Sequence, residues 1–165
     1  MKTLFTLLLV SCLNIISFAQ TSSDQHEYPK TIPTFQFAKM KGDGIFKSND
    51  IKKNKMTLIA LVSPECSHCL ISLELINNNI DKFKDLNVVF VTEYDKETFY
   101  GKVEPLSPNI FKAPNIEILQ DTEYEFSSLF KPLSIPTFYL YNKKGELITV
   151  KRGSIEVVQL FQHLK

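Results

Sequence analysis

A chain of 165 residues, 44% hydrophobic and 22% charged, has room for one domain with a real core and is too apolar to stay unfolded. Nineteen lysines and arginines against eighteen aspartates and glutamates leave a net charge of +1, which points to neither a nucleic-acid-binding field nor an acidic cation sink. The densest basic run, Lys52-Lys53-Asn54-Lys55, reads most simply as a solvated turn.

In chain order, Lys2, the apolar run Thr3–Val10 and small Ser17 and Ala19 predict a secretory signal peptide over residues 1–19, cut ahead of Gln20. Its apolar stretch is too short to span a bilayer. A competing reading takes "LVSC", Leu9 to Cys12, as a lipoprotein box, cut ahead of Cys12 with a lipid anchor on that thiol. Either way the mature chain is expected to be exported, periplasmic or secreted. Residues 20–32 are polar and read as a flexible lead-in, with His26 a solvated surface residue. Residues 33–165 form the single domain.

"TFQFAKMKGDGIF" alternates around a Gly-Asp-Gly turn and predicts a hairpin; "NDIKKNK" predicts a helical turn starting near Asn49 or Asp50. The continuous apolar run Met56–Ser63 predicts a strand buried on both faces. Cys66, Cys69, Leu73, Ile76, Ile80 and Phe83 then repeat at the spacing of one helix face. "NVVFVTEY" is a second buried strand, Asp95–Asn115 a short helix with an irregular insertion, and "NIEIL" a short strand. "DTEYEFSSLFKPL" shows a capping-box pattern, Thr122 to Glu125, with Phe126, Leu129, Phe130 and Leu133 on one helix side. "TFYLY" and "ELITV" flank a turn with Gly145 placed for positive φ, and Ser154 caps a final helix carrying His163 near its end. Buried strands alternating with amphipathic helices imply an α/β domain, a mixed sheet covered on both faces.

Chemistry concentrates at Cys66 and Cys69. Cys66 falls where the strand gives way to the helix, and free N–H groups at a helix N-terminus favour a thiolate there. Cys69 lies one turn on, within reach, so an attacking sulfur would have a resolving one beside it. A donating His68 imidazole near Cys66 would stabilise the reduced pair and make the disulfide a stronger oxidant, while Glu65 works against the thiolate. A structural disulfide is a weaker reading, since structural bridges usually close longer loops. Metal binding lacks a second cysteine pair or histidine cluster. Haem attachment is out because Leu70 follows Cys69.

"PTFQF…GDGIF…NDIKKNKMTLIALVSPECSHC", "SLFKPLSIPTFYLYNKKGELI" and "RGSIEVVQLFQHL" resemble the thioredoxin superfamily, and within it secreted TlpA/ResA-type thiol-disulfide oxidoreductases, over Pro33 to Lys165. The resemblance implies a thioredoxin-like fold: a central mixed sheet flanked by helices on both faces, with an N-terminal β-hairpin extension. It implies Cys66 as nucleophile and Cys69 as resolving thiol, with His68 supporting. Pro136 would be a cis-proline facing the disulfide, and the backbone of Ile135 a substrate contact. No metal or organic cofactor is implied; the partners are protein thiols and disulfides and a redox partner. The chain departs from the family in three places. No tryptophan precedes Cys66, Ala60 replaces a buried aspartate, and Ser72 stands where a glutamate is frequent. The Cys-Ser-His-Cys motif resembles disulfide-forming relatives and leans towards an oxidising couple. The rival is a non-catalytic copper- or zinc-binding module using both sulfurs and His68; a peroxidase is weaker, since the peroxiredoxin threonine signature is missing.

Overall fold

The computed structural model describes residues 26–155 and Gln162. Both apolar runs read as buried strands are strands, each enclosed along its whole length: β3 (Thr57–Leu61) and β4 (Asn87–Thr92). They lie parallel, with Leu58 opposite Val88 and Leu61 opposite Val91. Parallel neighbours need a crossover, and the helical segment between them supplies it: α1 (Ser67–Asn78) and the single turn α2 (Ile80–Phe83). Covered on both faces, the two strands are apolar at consecutive positions, Leu58–Leu61 and Val88–Val91, rather than at alternate ones.

The remaining elements are β1 (Gln36–Lys39), β2 (Ile45–Lys47), a 3-10 turn over Ser48–Asp50, α3 (Lys96–Val103), α4 (Pro108–Lys112), β5 (Ile116–Gln120), α5 (Glu125–Phe130), β6 (Thr137–Tyr141) and β7 (Leu147–Arg152). Seven strands form one sheet in the order β2-β1-β5-β4-β3-β6-β7. β3, β4 and β5 are parallel, and the hairpins β1–β2 and β6–β7 add antiparallel strands at either side. Gly42, Gly44 and Gly145 carry the positive φ that the two hairpin turns need. On one face Leu58, Ala60, Phe90 and Phe138 pack against Cys69, Leu73 and Ile76 of α1. On the other, Ile59, Val89 and Tyr139 lie under Phe126 and Phe130 of α5 and Phe35 and Phe37 of the N-terminal hairpin. Phe126 and Phe130 stack with centroids 4.2 Å apart.

Several local expectations are corrected. The helical face read from Cys66 to Phe83 is two helices, because the chain departs from helical geometry at Asn79 (φ −121°, ψ 26°). Leu73, Ile76 and Phe83 are buried all the same. The turn expected near Asn49 is the 3-10 turn, opened by Ser48. The insertion after Val103 holds a second helix, α4, with Pro108 in its first turn and Asn109 N–H held by the Asn77 side chain at 2.8 Å. Thr122 does not cap α5. The buried Asp121 carboxylate accepts from the Glu125 and Phe126 N–H groups at 3.0 and 2.7 Å, and Tyr124, before the helix, is left-handed. α5 ends at Phe130, so Leu133 leaves its face and is 52% exposed. The signal peptide, Cys12 and, but for Ile155 and Gln162, the final helix lie outside the described residues. Among the described residues no helix is long and apolar enough to cross a membrane.

Candidate active site

Past Leu61 the chain keeps the direction of β3 for one more residue, with Val62 N–H donating to Val91 at 2.9 Å. It then turns: Ser63 Oγ accepts the Glu65 N–H at 3.1 Å, and the Ser63 carbonyl accepts that of Cys66 at 3.3 Å. Cys66 is the N-cap of α1, in extended conformation, and its sulfur accepts the Cys69 N–H at 3.4 Å. The cysteine stands in a position that serine or aspartate usually fills, and the Cys69 N–H is shared between its sulfur and its carbonyl, the latter at 3.0 Å.

Cys69, one turn further, is fully buried against the sheet, whereas Cys66 is half-buried; both are free thiols. Burial pushes the Cys69 thiol up to about 12; the Ser63 N–H, donating to its sulfur at 3.4 Å, opposes this, and hydrogen bonding and charge from Cys66 add to it. The pair is therefore asymmetric, one sulfur within reach of solvent and the other held as a buried thiol.

β6 pairs antiparallel with β3, setting Thr137 opposite Leu61. That register carries the preceding loop to the cysteines. The Ile135–Pro136 peptide bond is cis, and the Cys66 thiol donates to the Ile135 carbonyl at 3.5 Å. Pro136 is buried, while the Ile135 side chain is 42% exposed beside Leu133.

His68 lies in the first turn of α1. Its Nδ1 is hydrogen-bonded to Ser154 Oγ at 2.8 Å, so that nitrogen is engaged by the segment following β7. One turn along α1, Ser72 donates to the His68 carbonyl at 2.7 Å and accepts the Ile155 N–H at 3.0 Å. Gly153 N–H donates to the Pro136 carbonyl at 2.9 Å. Residues 153–155 thus fasten the loop bearing Ile135 to the helix bearing the cysteines. Glu65 pairs with Lys102 of α3, so the acidic charge next to Cys66 has a cation against it.

Comparison of the sequence with protein-family models and with curated proteins gives no match. Solved structures do match. StoA from Bacillus subtilis is 21% identical, with 83% of this chain and all of that one covered at a TM-score of 0.61. A thiol-disulfide oxidoreductase from Bacteroides fragilis is 16% identical, with 82% and 100% covered and a TM-score of 0.61. The pneumococcal exposed lipoprotein thioredoxin Etrx1 from Streptococcus pneumoniae is 22% identical, with 79% and 97% covered and a TM-score of 0.59. The chain has the thioredoxin-like fold.

Within the thioredoxin-like fold the cysteines stand after β3, the parallel strand beside β6, and at the start of the following helix, and the cis-proline loop faces them. Ala60, where the resemblance would put an aspartate, is buried on the same sheet face as Cys69, so no carboxylate lies beneath that sulfur there. Ser72, at the frequent glutamate position, serves as a fastening point instead. Among the described residues no three His, Cys, Asp or Glu side chains gather as a metal cluster. Sequence reasoning missed Lys102 and gave Ser154 only as a helix cap. Each meets its partner across 86 or 37 residues of chain, and no local pattern signals that.

Proposed function

We propose that the chain is an exported thiol-disulfide oxidoreductase that exchanges disulfides with protein substrates through Cys66-Ser67-His68-Cys69. The observation that carries this reading is the asymmetry of the two sulfurs at the helix N-terminus. Cys66 is half-buried and its sulfur accepts the Cys69 N–H, while Cys69 is fully buried with its proton held tightly. In the reducing direction the Cys66 thiolate attacks a substrate disulfide, forming a mixed disulfide and releasing one substrate thiolate. Cys69 then gives up its proton and attacks the Cys66 sulfur. The intramolecular disulfide forms, the second substrate thiol leaves, and two electrons have passed from the pair to the substrate. The opposite direction runs the same bonds backwards. No step calls for a metal or organic cofactor.

The Ile135 carbonyl, 3.5 Å from the Cys66 sulfur, and the exposed Ile135 and Leu133 side chains offer an extended substrate chain a backbone acceptor and apolar cover beside the nucleophile. The small, apolar Ala60 leaves deprotonation of Cys69 in the mixed disulfide to water or to the departing substrate thiolate. Export is supported by the N-terminal signal pattern, and the likeness to an exposed lipoprotein thioredoxin is consistent with it.

The test is reduction of insulin disulfides by dithiothreitol. The chain from Gln20 onwards should accelerate it, and Cys66→Ser should remove the acceleration. Equal rates for the two proteins would sink the proposal. The reduction potential of the Cys66–Cys69 couple then assigns the direction, a value near the thioredoxin range marking a reductant and a much higher one an oxidant.

A further inference from the structure

The two lysine-bearing turns of the sequence, 52–55 and 143–144, are some ninety residues apart in the chain and adjacent in space. Lys52, Lys53, Lys55, Lys143 and Lys144 line one groove of about 600 Å³, and none of its lining residues is acidic. In a chain with a net charge of only +1 this is a strong local imbalance. Among the described residues none of the five ammonium groups has a hydrogen bond or an ion pair.

The groove sits at the opposite end of the sheet from Cys66. It reaches Thr57 at the start of β3 and Asn142 just past β6, and the length of β3, roughly 17 Å, separates it from the turn that leads to the cysteines. Its walls are built rather than loose. Asn142 accepts the Lys144 and Glu146 N–H groups through its side chain at 2.8 and 3.0 Å, and the Asn142 carbonyl accepts that of Gly145 at 2.9 Å. Opposite, the Asn87 side chain holds the Lys52 carbonyl at 2.9 Å. Like charges on two fixed turns repel one another, and an anion between them relieves that repulsion.

We propose that this groove docks an acidic, extended peptide segment of a partner protein, leaving the cysteine end of the sheet free. Shape and lining select this occupant. The surface is concave, where a bilayer would need a flat or convex basic face. The groove also includes Ile32 and Ile51, which a polyphosphate or nucleic-acid backbone would not use and an aliphatic side chain between two carboxylates would.

The experiment measures fluorescence anisotropy of a labelled peptide that alternates glutamate with isoleucine, titrated with the chain from Gln20 onwards. Binding should weaken steeply with salt, because exposed charges are screened within about 10 Å at 0.1 M. It should fall at least about tenfold in the double variant K53E/K144E, which turns two attractions into repulsions. The charge-matched control K84E/K112E, away from the groove, should bind as the parent does, and far-ultraviolet circular dichroism should show all three proteins folded. A polyglutamate peptide without isoleucine should bind several-fold more weakly. The proposal is overturned if the alternating peptide does not bind, if K84E/K112E weakens it as much as K53E/K144E, or if polyglutamate binds equally well. It is also overturned if phosphatidylglycerol vesicles or polyphosphate are retained and the peptide is not. Insulin reduction is not a readout of this experiment, so its outcome stands apart from that of the catalytic proposal.

Discussion

The Cys69 thiol sits in surroundings that favour its proton, and this has a consequence for stability that can be measured on the reduced protein. Its ordinary value of 9.0 is pushed up to about 12 in the fold, chiefly by burial. Between those values the unfolded chain has lost the proton and the native chain keeps it. The native state therefore binds more protons, and stability falls as pH rises. The contribution is complete below about pH 9 and disappears on the way to 12. Thermal midpoints of the reduced protein should decline more steeply above pH 9 than those of Cys69→Ala, and parallel profiles for the two would contradict the burial argument. The residues of this site were largely legible in the sequence. A cysteine pair three apart, at the change from a continuous apolar run to a helical repeat, has few other placements. What the spacing could not supply was His68's partner. The imidazole Nδ1 is bonded to Ser154, which arrives from beyond β7.

Among the elements, α5 shows how a correct assignment can rest on the wrong cause. Its apolar face is plain from Phe126 and Phe130, but the start is set by Asp121, which lies directly after β5 and satisfies two helix N–H groups from a buried position. Asp121→Ala should cost about 1–2 kcal/mol in urea unfolding, as loss of a strong cap does, while Thr122→Ala should change stability little. If Thr122→Ala proved the more damaging, the cap would be misassigned. The sequence signal was available, since aspartate is as good a cap as threonine, but the Thr122–Glu125 spacing matched a familiar pattern one residue later. α1 and α2 make the complementary point. The apolar repeat runs unbroken through Asn79, and an interruption that leaves the buried face in register has no signature in apolar spacing.

For the whole molecule, a sheet covered on both sides by unlike layers was readable because β3, β4 and β6 each carry an unbroken apolar run, a demand only two buried faces impose. Which side chains meet across those layers was not. Tyr139 and Tyr141 alternate with Phe138 and Leu140 in one strand, and both aromatic hydroxyls are carried inward on the face beneath α5. Tyr139 donates to the Phe130 carbonyl at 2.9 Å, whereas the Tyr141 hydroxyl has no partner among the described residues. Tyr139→Phe should therefore cost about 1 kcal/mol or somewhat more, and Tyr141→Phe should be neutral or slightly stabilising, since it removes a buried polar atom with nothing to bond. Chemical denaturation decides it, and equal losses for the two would show that Tyr141 has a partner too. Finally, the fastening of residues 153–155 gives the chain an internal reporter. The Ile155 amide is bonded to Ser72 in the helix that starts at Cys66, and two residues earlier Gly153 is bonded to Pro136. Deuterium can enter at Ile155 only when the end of β7 lifts from that helix. Its exchange rate is thus a clock for separation of the two halves of the cysteine site, read at a position that takes no part in the chemistry.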